Sequence, residues 1–161
     1  MKRGDWLEKT LETCNRQYRL QKMARIDKIA TPTSINPKNK TARFTKKSTV
    51  DFIGFTREGP VAFDTKETGV TNFPFYNVHK HQADYLKEVS KNYGVESFLL
   101  IWFKKYQALY RVDIFDYLSA EKMYRDAGRK SIPYDWFGEN ARLVKQGRFV
   151  YFDYLFMEGK R

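Results

Sequence analysis

Cysteine is nearly absent from this chain. Cys14 stands alone in 161 residues, which excludes an internal disulfide framework and any zinc site built on several thiolates. Long apolar runs are missing too. The longest, Phe98-Leu99-Leu100-Ile101-Trp102-Phe103, suits a buried strand and is far too short to cross a bilayer, so no membrane partner is expected. The opening Met1-Lys2-Arg3-Gly4-Asp5-Trp6 lacks the apolar centre of a secretory signal, and a reducing, cytoplasmic location is the expectation. Acids are scarce beside bases, 19 Asp and Glu against 30 Lys and Arg, for a net charge of +11. Aromatics, by contrast, reach 17% within a hydrophobic share of 42%. That is enough for a packed core and argues against a disordered basic tail. The length fits one domain over residues 1–161. A folded chain with this excess of positive charge points to a polyanionic partner, nucleic acid first.

Periodicity sets out the elements. Asp5 with Glu8 three positions on has the form of a capping box. Leu7, Leu11, Cys14 and Tyr18 then share one face of a helix running to about Met23. Ile26 and Ile29 alternate in a short strand over 25–32. Residues 34–47 hold Lys38, Lys40, Arg43, Lys46 and Lys47 without one acid, together with Pro37 and a lone aromatic, Phe44. This stretch reads as an exposed excursion held out of regular structure. Residues 50–55 and 61–67 flank the turn Thr56-Arg57-Glu58-Gly59 as a hairpin. Phe73-Pro74-Phe75 breaks the chain, and Gln82, Leu86, Val89 and Tyr93 predict a helix ending at Gly94. A second hairpin joins 97–103 to 107–112 through Lys104-Lys105. A helix over 119–127 stops at Gly128, and 149–156 reads as a last strand. The fold class is α/β, a central mixed sheet flanked by helices.

The first hairpin carries the chemistry. A four-residue turn over 56–59 sets Phe55 opposite Pro60, and therefore Asp51 opposite Asp64. Cβ atoms of directly opposed residues lie about 4.5–5.5 Å apart, and like charges there are destabilising. Lys66 shares the face of Asp64, while Val50, Phe52, Phe63 and Thr65 take the other. A divalent cation between the carboxylates explains the arrangement. Oxygen-only ligands suit Mg²⁺ or Mn²⁺, and the lysine then stabilises charge on the attacking water or the transition state. The competing reading is a solvated sheet face, since Asp-x-Lys is a common tripeptide; the opposed Asp51 and the apolar flanks weigh against it. Glu67 alternates away from Lys66 and has at most a supporting part. His79 and His81, two apart on a helix, diverge, so no zinc site is expected there.

Asp51 followed by Asp64-Thr65-Lys66 resembles the core of restriction-endonuclease-like nucleases. Further residues narrow the resemblance: Arg3-Gly4 with Leu7-Glu8, Asn15 and Tyr18, Thr31-Pro32, Asp51-Phe52-Ile53-Gly54, and Phe63-Asp64-Thr65-Lys66-Glu67-Thr68. Phe73-Pro74, His81-Gln82 and Gly128-Arg129-Lys130-Ser131-Ile132 continue it. In this order and spacing the chain resembles, over nearly its whole length, the RecU family of Holliday junction resolvases. Asp64 stands where that family commonly has Glu, Val50 where a small hydroxyl residue is expected (Thr49 or Ser48 being the nearest substitutes), and the chain is shorter than typical members.

The resemblance implies a restriction-endonuclease-like core and a Mg²⁺-dependent endonuclease, Mn²⁺ substituting, that resolves four-way DNA junctions in recombination and repair. Two symmetric nicks leaving 5′-phosphate and 3′-hydroxyl ends would be made by a homodimer, with a recombinase as a further candidate partner. It implies that Asp51 and Asp64 hold the metal and Lys66 assists the nucleophilic water. Glu8 would add an acid to the site, and Gln82 would orient water or a phosphate. Residues 34–47 become a stalk that enters the junction centre, with Lys38, Lys40, Arg43, Lys46 and Lys47 on phosphates and Phe44 on a base. Arg129 and Lys130 add backbone contacts. Competing functions are a sequence-specific or flap-directed endonuclease and a non-catalytic accessory protein that binds junctions or a recombinase.

Overall fold

The structure, a computed structural model, describes residues 5–30, 33–36, 41–44 and 49–155, with side chains over 6–30 and 49–155. The elements run α1 (Asp5–Leu20), β1 (Ala24–Lys28), β2 (Thr33–Asn36), β3 (Thr41–Phe44), β4 (Phe52–Thr56), β5 (Gly59–Thr68) and β6 (Phe73–Pro74). A 3-10 turn (Phe75–Asn77) leads into α2 (Lys80–Tyr93). Then come β7 (Glu96–Phe103), a 3-10 turn (Lys104–Tyr106), β8 (Ala108–Asp113), α3 (Ile114–Asp126), β9 (Ser131–Ile132), α4 (Tyr134–Asn140) and β10 (Arg142–Leu143).

Six strands form one mixed sheet in the order β1-β4-β5-β7-β8-β10. Only β5 and β7 are parallel, Val61 opposite Glu96 through Thr68 opposite Phe103, and α2 is the crossover that a parallel pair requires. The apolar run found in the sequence is β7, buried from Ser97 to Phe103. Its side chains alternate between two cores. Phe98, Leu100 and Trp102 meet Leu7, Leu11, Cys14 and Tyr18 of α1. Leu99, Ile101 and Phe103 meet Leu86 of α2, Tyr117 of α3 and Phe137 of α4. Stacked rings cross three strands on the α1 side, with Phe52–Phe63 centroids at 5.0 Å and Phe63–Phe98 at 4.9 Å. Each such side chain, fully buried, contributes about 1.5–3 kcal/mol. Gly54 lets β1 close on β4, because a Cβ there would lie 2.2 Å from the Arg25 carbonyl oxygen. Gly94, at φ 68°, ends α2 in the left-handed region.

Several expectations change. The α1 helix stops at Leu20, short of Met23, and β1 runs over 24–28, starting one residue earlier than the strand expected over 25–32 and ending at Lys28. The Glu8 carboxylate pairs with Lys28 Nζ at 2.8 Å, and the Leu7 amide at the helix start donates to Glu67 Oε1 at 2.8 Å. Residues 34–47 are not irregular throughout. β2 and β3 pair antiparallel, Thr33 opposite Phe44 and Asn36 opposite Thr41, as a separate two-stranded sheet.

The third helix begins at Ile114, five residues before the expected start, because the Asp113 carboxylate caps it by accepting the Phe115 amide at 2.7 Å. No strand occupies the described part of 149–156. Its amides are taken by side chains of α1: Tyr151 N–H by Gln17 Oε1 (3.0 Å), Phe152 N–H by Cys14 Sγ (3.4 Å) and Leu155 N–H by Tyr18 Oη (3.1 Å). A segment whose donors point to a helix has none left for a ladder. Its buried Val150, Tyr154 and Leu155 hold α1 against the sheet.

Candidate active site

The site lies where β5 outruns its neighbour. β4 and β5 pair from Thr56 opposite Gly59 to Phe52 opposite Phe63, the register expected from the turn. The ladder then stops one residue short of Asp51 and Asp64. Beyond it, β5 continues as Asp64-Thr65-Lys66-Glu67-Thr68, paired only with β7. Asp51 takes over the edge that β4 leaves. Its Oδ2 accepts the Thr65 amide at 2.8 Å and the Thr65 hydroxyl at 2.6 Å. Thr65, expected on the opposite face, is therefore a partner of Asp51. Val50, expected beside Phe52, packs instead in the core of α2, α3 and α4, since the strand pleat begins only at Phe52.

Asp64 is wholly buried. Its Oδ1 accepts Gln82 Nε2 at 2.9 Å, and its Oδ2 lies 2.5 Å from Lys66 Nζ without an aligned hydrogen bond. Burial, and then the Asp51 charge, push its carboxyl up to about 7, against the opposing pull of Lys66. Gln82, buried in the first turn of α2, closes the network: its Oε1 accepts Lys66 Nζ at 2.9 Å and the His79 amide at 3.4 Å. Both ends of this amide are thus engaged by protein groups, Asp64 on its nitrogen and Lys66 with the His79 amide on its oxygen.

A cleft of about 720 Å³ opens over these groups, lined by Glu8, Asp51, Thr65, Lys66 and Glu67 together with Val70, Tyr76, His79 and Lys104. Glu8 forms its α1 wall and, paired with Lys28, holds that ammonium well above the ordinary lysine range. Among the described residues no cluster of three or more His, Cys, Asp and Glu side chains has metal-binding geometry. The two acids are nonetheless hard oxygen donors, Asp51 lining the cleft and Asp64 buried with its Oδ2 against the Lys66 ammonium but in no aligned hydrogen bond.

Two contributors escaped the sequence reading, and a third, Glu67, was given only a supporting part. Glu67 carries one oxygen to the α1 amide terminus and the other to Lys104 Nζ at 2.6 Å, so it fixes the wall bearing Glu8. Its place on the α1 face of β5 was readable from alternation; its partners, distant in sequence, were not. Lys104 and Tyr76 reach the cleft from turns that no motif marks. His79 and His81 do not diverge: His79 precedes α2, and the rings stack with centroids 5.7 Å apart.

The expected DNA contacts divide. Lys38, Lys40, Lys46 and Lys47 lie outside the described residues. Arg43 and Phe44 are β3 positions opposite Ser34 and Thr33. Arg129 and Lys130 are exposed after α3; the Arg129 guanidinium lies 5.6 Å from the Tyr124 ring centre, and the Lys130 carbonyl accepts the Phe75 amide at 3.1 Å.

The family model for RecU, Recombination protein U, matches residues 2–158. The chain belongs to the RecU family. Curated relatives agree with that membership. The Holliday junction resolvase RecU of Oceanobacillus iheyensis is 32% identical over 88% of this chain and 77% of its own length. That of Bacillus pumilus is 33% identical over 95% and 78%, and that of Pediococcus pentosaceus 36% over 87% and 74%. Among solved structures, the Holliday junction resolvase Hjc of Archaeoglobus fulgidus shows a slight likeness, with TM-score 0.40 and 13% identity over 62% of this chain and 72% of that one.

Proposed function

We infer that this RecU-family chain is an endodeoxyribonuclease that resolves four-way DNA junctions by hydrolysing phosphodiesters, in recombination and repair. The observation that supports it most is the wholly buried Asp64, in electrostatic contact with Asp51 and Lys66, which line an open cleft. A fold gains nothing from packing two acids and a lysine into the end of an apolar strand, and perturbed carboxylates in a cleft mark functional sites.

Asp51 and Asp64 are the residues that would hold Mg²⁺, with Mn²⁺ as substitute; a cation bound there would activate water and offset charge on the phosphate. Thr65 fixes Asp51 at the cleft through two hydrogen bonds to one carboxylate oxygen. Gln82 sets the direction of both Asp64 and Lys66, so the ammonium arrives already oriented toward the transition-state charge. Glu8 adds an acid at the rim, and Lys104 adds a cation where the DNA backbone enters.

Paired cuts on opposed strands require a two-fold assembly, so the working unit is a homodimer. Residues 34–47 serve as a basic stalk for the junction centre, and Arg129 and Lys130 as backbone contacts; a recombinase is a further partner, and the setting is the bacterial or phage-infected cytoplasm. Deleting 34–47 should weaken junction binding far more than duplex binding. It should also flatten the salt dependence by about 0.9 in slope per lost phosphate contact. The deciding experiment is a Mg²⁺-dependent nicking assay on a four-way junction, wild type beside Asp51→Asn. The wild type should make paired nicks, and the variant should bind within a few-fold yet not cut. Cutting by Asp51→Asn at the wild-type rate would overturn the reading.

A further inference from the structure

Of the chain's 27 aromatic residues, most of those described pack in the cores or against one another, Trp6 5.0 Å from Trp102, Tyr106 3.7 Å from Tyr134 and Tyr151 4.7 Å from Phe152, centre to centre, while Phe55 and Tyr93 stand exposed. Tyr76 stands exposed too. At 78% exposure it is the most exposed large hydrophobic side chain among the described residues, and it stands on the lip of the cleft that holds Asp51 and Lys66.

Its support is rigid. Phe73 pairs with Ile132, Phe75 is buried and its amide donates to the Lys130 carbonyl at 3.1 Å, and Val78 N–H closes the 3-10 turn on Phe75 at 3.1 Å. The Arg125 guanidinium covers the Phe75 ring at 4.7 Å. The residues on either side of Tyr76 are thus tied down while its own ring is presented to solvent. The same pairing brings the basic Arg129-Lys130 turn alongside. An exposed π-face beside cations, at the mouth of a polar cleft, has the composition of a single-stranded nucleic-acid platform.

We propose that Tyr76 stacks on a base laid open at the branch point and so couples cleavage to DNA in which a base face is available, a specificity that rests on the nuclease function proposed above. Duplex DNA keeps its base faces covered by their neighbours. A four-way junction interrupts stacking where the strands exchange, and the platform engages there. Stacking of one base on an aromatic side chain corresponds to about a 5- to 150-fold effect on affinity.

The test uses the full chain and four-way junctions carrying 2-aminopurine at the branch point, read by fluorescence in chelator and by cutting in Mg²⁺, for wild type, Tyr76→Phe and Tyr76→Ala. Wild type and Tyr76→Phe should quench the probe and cut alike. Tyr76→Ala should bind without quenching, cut with a KM raised about 5- to 150-fold, and melt at the wild-type temperature, since the tyrosine side chain is largely exposed. Quenching or cutting by Tyr76→Ala at the wild-type level would overturn the proposal, as would a Tyr76→Phe that behaves like Tyr76→Ala. Those results leave the nuclease function standing. A wild-type chain that neither binds nor cuts junctions overturns both.

Discussion

The two halves of β5 are one strand built for opposite ends. Over Val61–Phe63 it is apolar, paired on both edges, and sandwiched between the two cores. Over Asp64–Thr68 it is polar and paired only with β7, and the side chains that β4 no longer covers line a cleft. The first half gains stability from burial. The second half places a carboxylate where burial and a neighbouring acid disfavour its charge. The difference teaches that the site is produced by ending one strand early: where β4 stops, an edge of β5 opens, and Asp51 is delivered to it.

Substitutions in the two halves should therefore fail differently. Asp51→Asn and Asp64→Asn should abolish Mg²⁺-dependent junction cutting in a single-turnover assay while leaving junction affinity within a few-fold. Phe63→Ala, in the apolar half, should lower stability by roughly 3–5 kcal/mol by loss of a fully buried ring, measured by urea unfolding. Well below its lowered midpoint it should still cut. Lys66→Ala should slow cutting roughly 10²–10³-fold, as for loss of one oriented electrostatic group, with binding little changed. Glu67→Ala should cost about 1–3 kcal/mol because the Leu7 amide loses its acceptor. Glu67→Gln, which keeps that acceptor and loses only the half-exposed Lys104 pair, should cost about 1 kcal/mol or less. Should Phe63→Ala and Asp64→Asn instead fall together in stability and activity, the two halves would not be distinct.

Much of this division was legible in the sequence. The turn Thr56-Arg57-Glu58-Gly59 fixed the β4–β5 register by residue count alone, and register placed Asp51 beside Asp64. Steps of 4, 3 and 4 along the chain marked α1 and α2, and Gly94 marked the end of α2 correctly. Side-chain networks were less legible. Gln82 is 16 residues from Lys66 and Glu67 is 60 from Leu7, and nothing in local pattern specifies such pairings. The segment over 149–155 has the aromatic content of a strand, but its amides are claimed by Gln17, Cys14 and Tyr18, acceptors that only the tertiary fold brings near. The α3 start at Asp113 was hidden because the capping acid is also the last residue of β8.

The central claim, that the polar half of β5 serves chemistry against stability, is tested most directly by thermal unfolding of Asp64→Asn beside wild type in chelator from pH 4 to 8. The Asp64 carboxyl titrates at about 7 in the fold against 3.8 for an ordinary aspartate. Its stabilising contribution is therefore complete below the lower value and is lost as pH rises through the upper one. Asparagine stays neutral throughout. The variant should match wild type near pH 4 and melt progressively higher as pH rises toward 7, the difference levelling off above that at up to a few kcal/mol in stability. A variant that melts below wild type at pH 8 would show Asp64 to be a structural ion-pair partner of Lys66, and would contradict the account.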